Sequence, residues 1–394
     1  MRPPSISRRT VLAGLLGAST VGAGVEAGVG PSPSLDSWTP ASGDWPAARR
    51  GPRRTAAAPG ADPPGPALTV EWRGELAGSA RLVVEGETVY AGRESGVTAF
   101  DLASGEPQWS RDQPATDVCV RGGRLYCGGG RDGDVAALDT ANGSTVWTVD
   151  TEPGRRTYDV LHVDDTLLVG RHGSLHGLDP ATGQHRWETN VGGLGDVCPA
   201  VVDSTLYAGG PGPLEVYRPR EGWNAVLQPG PKQVAEGDGP VFARYPAVGP
   251  DGVYVGGFGF SEGTALYGFD REGGRRWRGT EAFSLTAPVL VDGDPPVGVT
   301  RLYDEESREN RLVGVNLADG SERWAREWVD DLTMPVLAGE YVVVGENSGE
   351  IRAIEPRTGD VAWQATVDVS PEAVIPSGER LLLSGVEGTV LSLR

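Results

Sequence analysis

Residues Leu178–Trp187 read LDPATGQHRW, and nearly the same ten residues recur along the chain. FDLASGEPQW occupies Phe100–Trp109, LDTANGSTVW Leu138–Trp147, VNLADGSERW Val315–Trp324 and IEPRTGDVAW Ile354–Trp363. A repeat with a period of a few tens of residues fixes architecture before any local feature does. The tryptophans give that period. Trp72, Trp109, Trp147 and Trp187 are spaced by 37, 38 and 40 residues, and Trp277, Trp324 and Trp363 by 47 and 39. The 90 residues between Trp187 and Trp277 hold two units, one without its tryptophan: VYRPREGWNAV, Val216–Val226, with Arg218 in the acidic position, Gly222 at the turn and Val226 in the tryptophan position.

Each unit runs apolar strand, turn, Y-x-G strand, turn, strand ending in an acidic residue, glycine turn, tryptophan strand. DVCVRGGRLYCGGGRDGDVAALDTANGSTVW, Asp117–Trp147, is the clearest copy. With 59 Gly and 31 Pro among 394 residues, and short β-type runs between turn signals, the expected class is all-β. Eight units are counted. The last ends at GTVLSLR, Gly388–Arg394, without a tryptophan strand, while LTVEWRGEL, Leu68–Leu76, supplies a spare one. The expectation is an eight-bladed β-propeller over 67–394, the N-terminal strand closing the last blade and so leaving no open sheet edge. Asp101, Asp139, Asp179 and Asp270 are expected to accept hydrogen bonds from the turn backbone. Each tryptophan is expected to bury its ring between blades and to donate its indole N–H to a carbonyl. Recurrence in every unit gives these residues structural work, and no catalytic residue is assigned.

Ahead of the repeats, residues 1–27 read as an export signal of the twin-arginine type: SRRTVL places Arg8 and Arg9 before an uncharged stretch too short to span a bilayer. Its removal takes three arginines and Glu26, leaving a mature charge of −21 and no membrane-spanning helix. Residues 28–66 read as a Pro/Gly/Ala-rich linker or arm lying on the surface. The formal charge of −19 offers no basic stripe to neutralise phosphates and argues against nucleic acid. Lys232 is the single lysine, a balance that suits adaptation to high salt. Cys119, Cys127 and Cys198 lie at no metal-ligand spacing and read as small buried hydrophobes, a bridge between Cys119 and Cys127 being the alternative.

The pattern A/G-apolar-D-x-x-T/N/S-G-x-x-x-W resembles the tryptophan-docking repeat of quinoprotein (PQQ-type) propellers, including the non-enzymatic BamB-type assembly scaffolds and secreted haloarchaeal PQQ-like repeat proteins. DWPAARRGPRRT, Asp44–Thr55, resembles the W-P-x-x-R segment preceding the propeller in those archaeal proteins. The resemblance implies an exported, monomeric, non-catalytic scaffold binding a protein or polysaccharide at the cell surface, or else a PQQ- and Ca²⁺-dependent dehydrogenase; a carbohydrate- or metal-binding propeller using an acidic funnel is the third reading. The enzymes hold the quinone against a disulfide of adjacent cysteines. This chain has no Cys-Cys pair and no CxxCH, and no residue maps onto the calcium ligands. The scaffold reading, without cofactor, is therefore the expectation.

Aligning the units on the Y-x-G strand collects, at the mouth of the central funnel, Arg81, Asp117, Asp159, Asp196, Arg244, Tyr245 and Glu372. These are the candidate ligand-binding residues, as carboxylates suited to a cation or polar groups suited to a carbohydrate. All four histidines, His162, His172, His176 and His185, fall in one unit. His172 and His176 flank a tight turn that can bring them together, but no third ligand is evident and no metal is expected. Two longer segments, Leu227–Tyr245 and Val299–Gly314, extend the fifth and sixth units as candidate recognition loops.

Overall fold

Antiparallel hairpins joined in series form the body of each sheet among the described residues. The computed structural model describes residues 34–394 apart from 130–132, 151–155, 193–195, 211, 221–229, 238–241, 260–262, 282–286, 305–308 and 329. The export signal with Arg8 and Arg9, the tip of the 299–314 hairpin, and Gly222 with Val226 lie outside the described residues. Eight four-stranded units follow one another: 81–111, 117–150, 157–190, 198–236, 242–281, 289–328, 336–366, and 371–393 completed by Val70–Glu75. They are called here the first to eighth blades. At seven of the eight junctions the first strand of one blade contacts that of the next, so these strands line the centre of an eight-bladed propeller. Closure is by Val70–Glu75, which pairs antiparallel with Thr389–Leu393 (Val70 opposite Leu393, Glu75 opposite Thr389).

The inner three strands of each blade are rich in Val, Leu, Ala and Tyr and are buried on both faces, while the outermost alternate, as in PQWSR where only Trp109 is buried. Tryptophan from one blade reaches the glycine turn of the next. Trp109 Nε1 donates to the Thr140 carbonyl at 2.8 Å and Trp324 Nε1 to that of Pro356 at 2.9 Å. Under those rings the turn glycines have positive φ, 67° at Gly143 and 74° at Gly359; a β-carbon on Gly359 would stand 2.5 Å from the Trp324 ring. Asp101 Oδ1 accepts from the amides of Ala103 and Ser104, and Asp139, Asp179 and Asp270 accept in the same way.

The fourth blade corrects the sequence alignment. Its outer strand is Lys232–Glu236, in which Ala235 pairs with Val216 beyond a bulge and so holds the tryptophan position, and Trp187 packs on Gly230. The connection after Arg218 is longer than in the other blades, which moved the unit's true glycine and outer strand downstream of Gly222 and Val226. Segment 227–245 is accordingly in part a blade strand. The three cysteines are buried and free. Cys119 and Cys127 face opposite sides of their hairpin, into different packing clusters, which excludes the alternative bridge.

A second difference concerns residues 34–66, much of which, above all 45–58, is buried and not laid on the surface. The arm crosses one end of the ring and bonds to all eight blades. Trp45 exchanges two backbone hydrogen bonds with Val84, and the carbonyls of Pro46, Pro52, Arg53, Thr55 and Ala56 accept from Val120, Val201, Val248, Leu290 and Leu337. Trp38 Nε1 donates to His162 O, and Ser377 Oγ to Gly43 O. Ala57–Ala58 adds a parallel strand to the seventh blade. Its prolines, alanines and glycines suit this role. Prolines need no amide partner, small side chains pass close to the converging inner strands, and the inner-strand amides facing the axis find carbonyls instead of being left unmade.

Candidate functional site: the plugged central channel

The arm's contacts fall at one register of the inner strands, and the side chains three residues earlier form the ring beneath it. That ring includes Arg81, Asp117, Asp159, Cys198 and Tyr245. Into it the arm inserts Arg54, whose side chain is fully buried. Its Nη2 donates to both oxygens of Asp159, at 2.7 and 2.6 Å, its Nε to Pro199 O at 3.1 Å and its Nη1 to Ala48 O at 2.6 Å. Arg49, Arg50, Arg54 and Ala56 all have positive φ, a conformation costing about 1 kcal/mol or more for a residue with a side chain. The eight-blade bonding pattern holds the arm in it.

Guanidiniums and carboxylates share one buried cluster at the channel centre. Asp159 is pushed up to about 7 by burial, against the pull of Arg54, with the like charge of Asp117 adding to the rise. Asp117 is also raised, again by burial first, with Arg81 and Arg54 opposing; its Oδ1 has no hydrogen-bond partner. Arg81 is held in its charged form first by Asp117; it keeps solvent contact along the channel while donating Nε to Thr116 O at 3.1 Å. Arg49 is lowered to about 10 by burial and then by Arg54, and its hydrogen bonds run to the carbonyls of Arg54 and Pro288. Burial pushes the Cys119 thiol up to about 12, and Cys198 is raised from the same cause, so neither is a nucleophile at neutral pH.

Of the sequence candidates, Arg81, Asp117, Asp159 and Tyr245 converge on Arg54 and on one another. Glu372 is exposed and lines a separate recess with Arg81. Asp196 sits in an isolated backbone bridge with His172, and the Arg244 side chain lies outside the described residues. The recess, about 820 Å³, lies beside the plug between the first, seventh and eighth blades, with Arg49, Arg81, Arg93, Glu94 and Glu372 among its polar walls. The histidines also differ from expectation. His176 meets His185, Nδ1 to Nε2 at 3.2 Å, a pairing within the same unit that the turn geometry did not suggest.

A Ca²⁺ ion needs several oxygens converging at about 2.3–2.6 Å. Here Asp159 is taken up by Arg54, and Asp117 lies in the electrostatic field of Arg81 and Arg54. The donor set does not suit that ion, and no step is derived through calcium or quinone.

The sequence matches the family described as outer membrane protein assembly factor BamB over residues 68–204 and again over 197–380. The chain belongs to the BamB family. Among solved structures it is similar to BamB from Moraxella catarrhalis, at 20% identity and a TM-score of 0.62, covering 83% of this chain and 97% of that one. It is similar too to a europium-containing methanol dehydrogenase, at 13% identity, TM-score 0.65, covering 87% and 89%. The quinohemoprotein alcohol dehydrogenase of Comamonas testosteroni gives 14% identity, TM-score 0.61, covering 89% and 80%. No curated protein matches. At these identities the structural likenesses speak for fold alone, and the BamB-family fold is shared between scaffold and enzyme. No helix among the described residues is long and apolar enough to cross a membrane.

Proposed function

We propose that this BamB-family propeller is a non-catalytic scaffold, exported to the cell surface, that binds a protein partner through the loops and the recess around its channel. The observation carrying this reading is the arm: it fills one end of the channel with the chain's own residues and commits Arg54 to Asp159 where an enzyme of the fold would need an open site. The recess presents Arg49 and Arg81 on its wall, a surface suited to carboxylate-bearing side chains of a partner. Such a scaffold works by rigidity, since eight interlocked blades hold their loops in fixed relation without bond chemistry. Export by the twin-arginine route fits, because that route carries a protein already folded and this ring closes only when both ends of its sequence have met.

The test is dye-linked oxidation of alcohols and aldoses by the purified protein supplied with PQQ and Ca²⁺ in molar salt, alongside cross-linking from recess positions on intact cells. The reading expects no turnover and a defined protein adduct that weakens on Arg81→Ala. Saturable, quinone-dependent turnover would establish the dehydrogenase alternative instead.

A further inference from the structure

On the flank of the third blade, away from the channel, the strands Ser174–Leu178 and His185–Asn190 pair with a bulge: Gly177 faces Trp187, but Leu178 faces His185, so Arg186 is the extra residue. In an unbroken strand His185 would point with Trp187, away from Glu188. The bulge turns it back. Glu188 lies directly across from His176, and directly opposed residues share a face. Three ligating side chains thus meet: His176 Nδ1, His185 Nε2 and a Glu188 carboxylate oxygen all lie within 4.8 Å of one another.

From this geometry we infer a binding site for a divalent zinc-type cation on the third blade, held by His176, His185 and Glu188. The two nitrogens are 3.2 Å apart. With Zn–N bonds of about 2.05 Å that spacing subtends about 103° at the metal, close to a tetrahedral angle. His176 is buried, and its other nitrogen, Nε2, lies 3.0 Å from the hydroxyl of Ser174, itself buried. Accepting Nε2–H there leaves Nδ1 as the unprotonated ligand nitrogen and fixes the ring plane, the second-sphere arrangement that orients metal-bound histidines. His185 and Glu188 are exposed, so the remaining coordination positions face solvent and are open to water or to a donor from a partner molecule. Two histidines and one carboxylate favour zinc and neighbouring transition metals over calcium or magnesium, which take oxygen ligands.

The experiment is calorimetric titration of the full chain, prepared without a histidine tag, with Zn²⁺, and absorption spectroscopy with Co²⁺. The site predicts one ion per chain and the visible bands of four- or five-coordinate cobalt. His185→Ala and Glu188→Ala, both at exposed positions, should each weaken binding at least about tenfold with melting of the metal-free protein unchanged. Absence of stoichiometric binding, or binding and cobalt spectra that both substitutions leave intact, overturns the assignment.

Discussion

Replacing Arg54 by Met probes the plug at its centre. Both partners of the Arg54–Asp159 pair are fully buried, so the substitution strands a carboxylate in a site that burial has already pushed up to about 7. Breaking one side of such a pair costs about 3–5 kcal/mol. The carbonyls of Pro199 and Ala48 lose their donor as well, each worth about 1 kcal/mol and not fully additive. The penalty carries a pH signature. Without Arg54 the folded-state affinity of Asp159 for a proton rises further above that of the unfolded chain. The folded variant then binds more protons than the unfolded one, and its stability falls as pH increases from about 4 upward. The deficit relative to the unaltered protein should be larger at pH 8 than at pH 5. Asp159→Leu alone should also be destabilising, while Arg54→Met with Asp159→Leu should recover about 1–3 kcal/mol of the summed losses. Guanidinium unfolding with reversibility verified, in parallel with limited proteolysis of the arm, measures both effects. A single variant within about 0.5 kcal/mol of the parent, or a strictly additive double variant, would refute the pair's role in seating the arm.

Other consequences are testable separately. Gly359→Ala places a β-carbon 2.5 Å from the Trp324 ring at a φ of 74° and should cost at least about 1–2 kcal/mol. Trp324→Ala should cost about 3–5 kcal/mol by leaving a void between blades, and the pair should couple strongly in a double-mutant cycle. His162 is lowered to about 4, first by burial and then by Arg121. The unfolded chain therefore takes up a proton near pH 6.5 while the folded protein does not, and this contribution is present above 6.5 and lost as pH falls towards 4. His162→Gln should flatten the stability–pH curve in that window, and an unchanged slope there would contradict it.

The fold was largely legible because every blade solves the same packing problem with the same residues. A tryptophan, a turn glycine and an acidic cap recur at a fixed offset, so their spacing counted the blades. The fourth blade was counted but misaligned where it departs from the rule: with Ala235 in place of tryptophan, nothing in the sequence distinguished Gly230 from Gly222. The channel was half legible. Register alone gathered Arg81, Asp117, Asp159 and Tyr245, because side chains at one level of the inner strands converge on the axis. Arg54 and Arg49 were missed as its partners. They reach the axis from an arm without periodicity, and only the positive-φ turns and contacts with all eight blades carry them there. The cluster RRGPRR within Asp44–Thr55 was the available signal. The His176–His185–Glu188 group was hidden for a comparable reason, since strict alternation along the strand separates His185 from Glu188 and a bulge reunites them.

The proposal that the chain's own arm and its ion pair occupy the channel in place of a cofactor is tested most directly by titrating the full protein with PQQ in molar salt, with and without Ca²⁺, following quinone absorbance and melting together. The account predicts no saturable binding and no calcium-dependent rise in melting temperature. Stoichiometric quinone binding strengthened by calcium would contradict it and place an enzymatic site in this propeller.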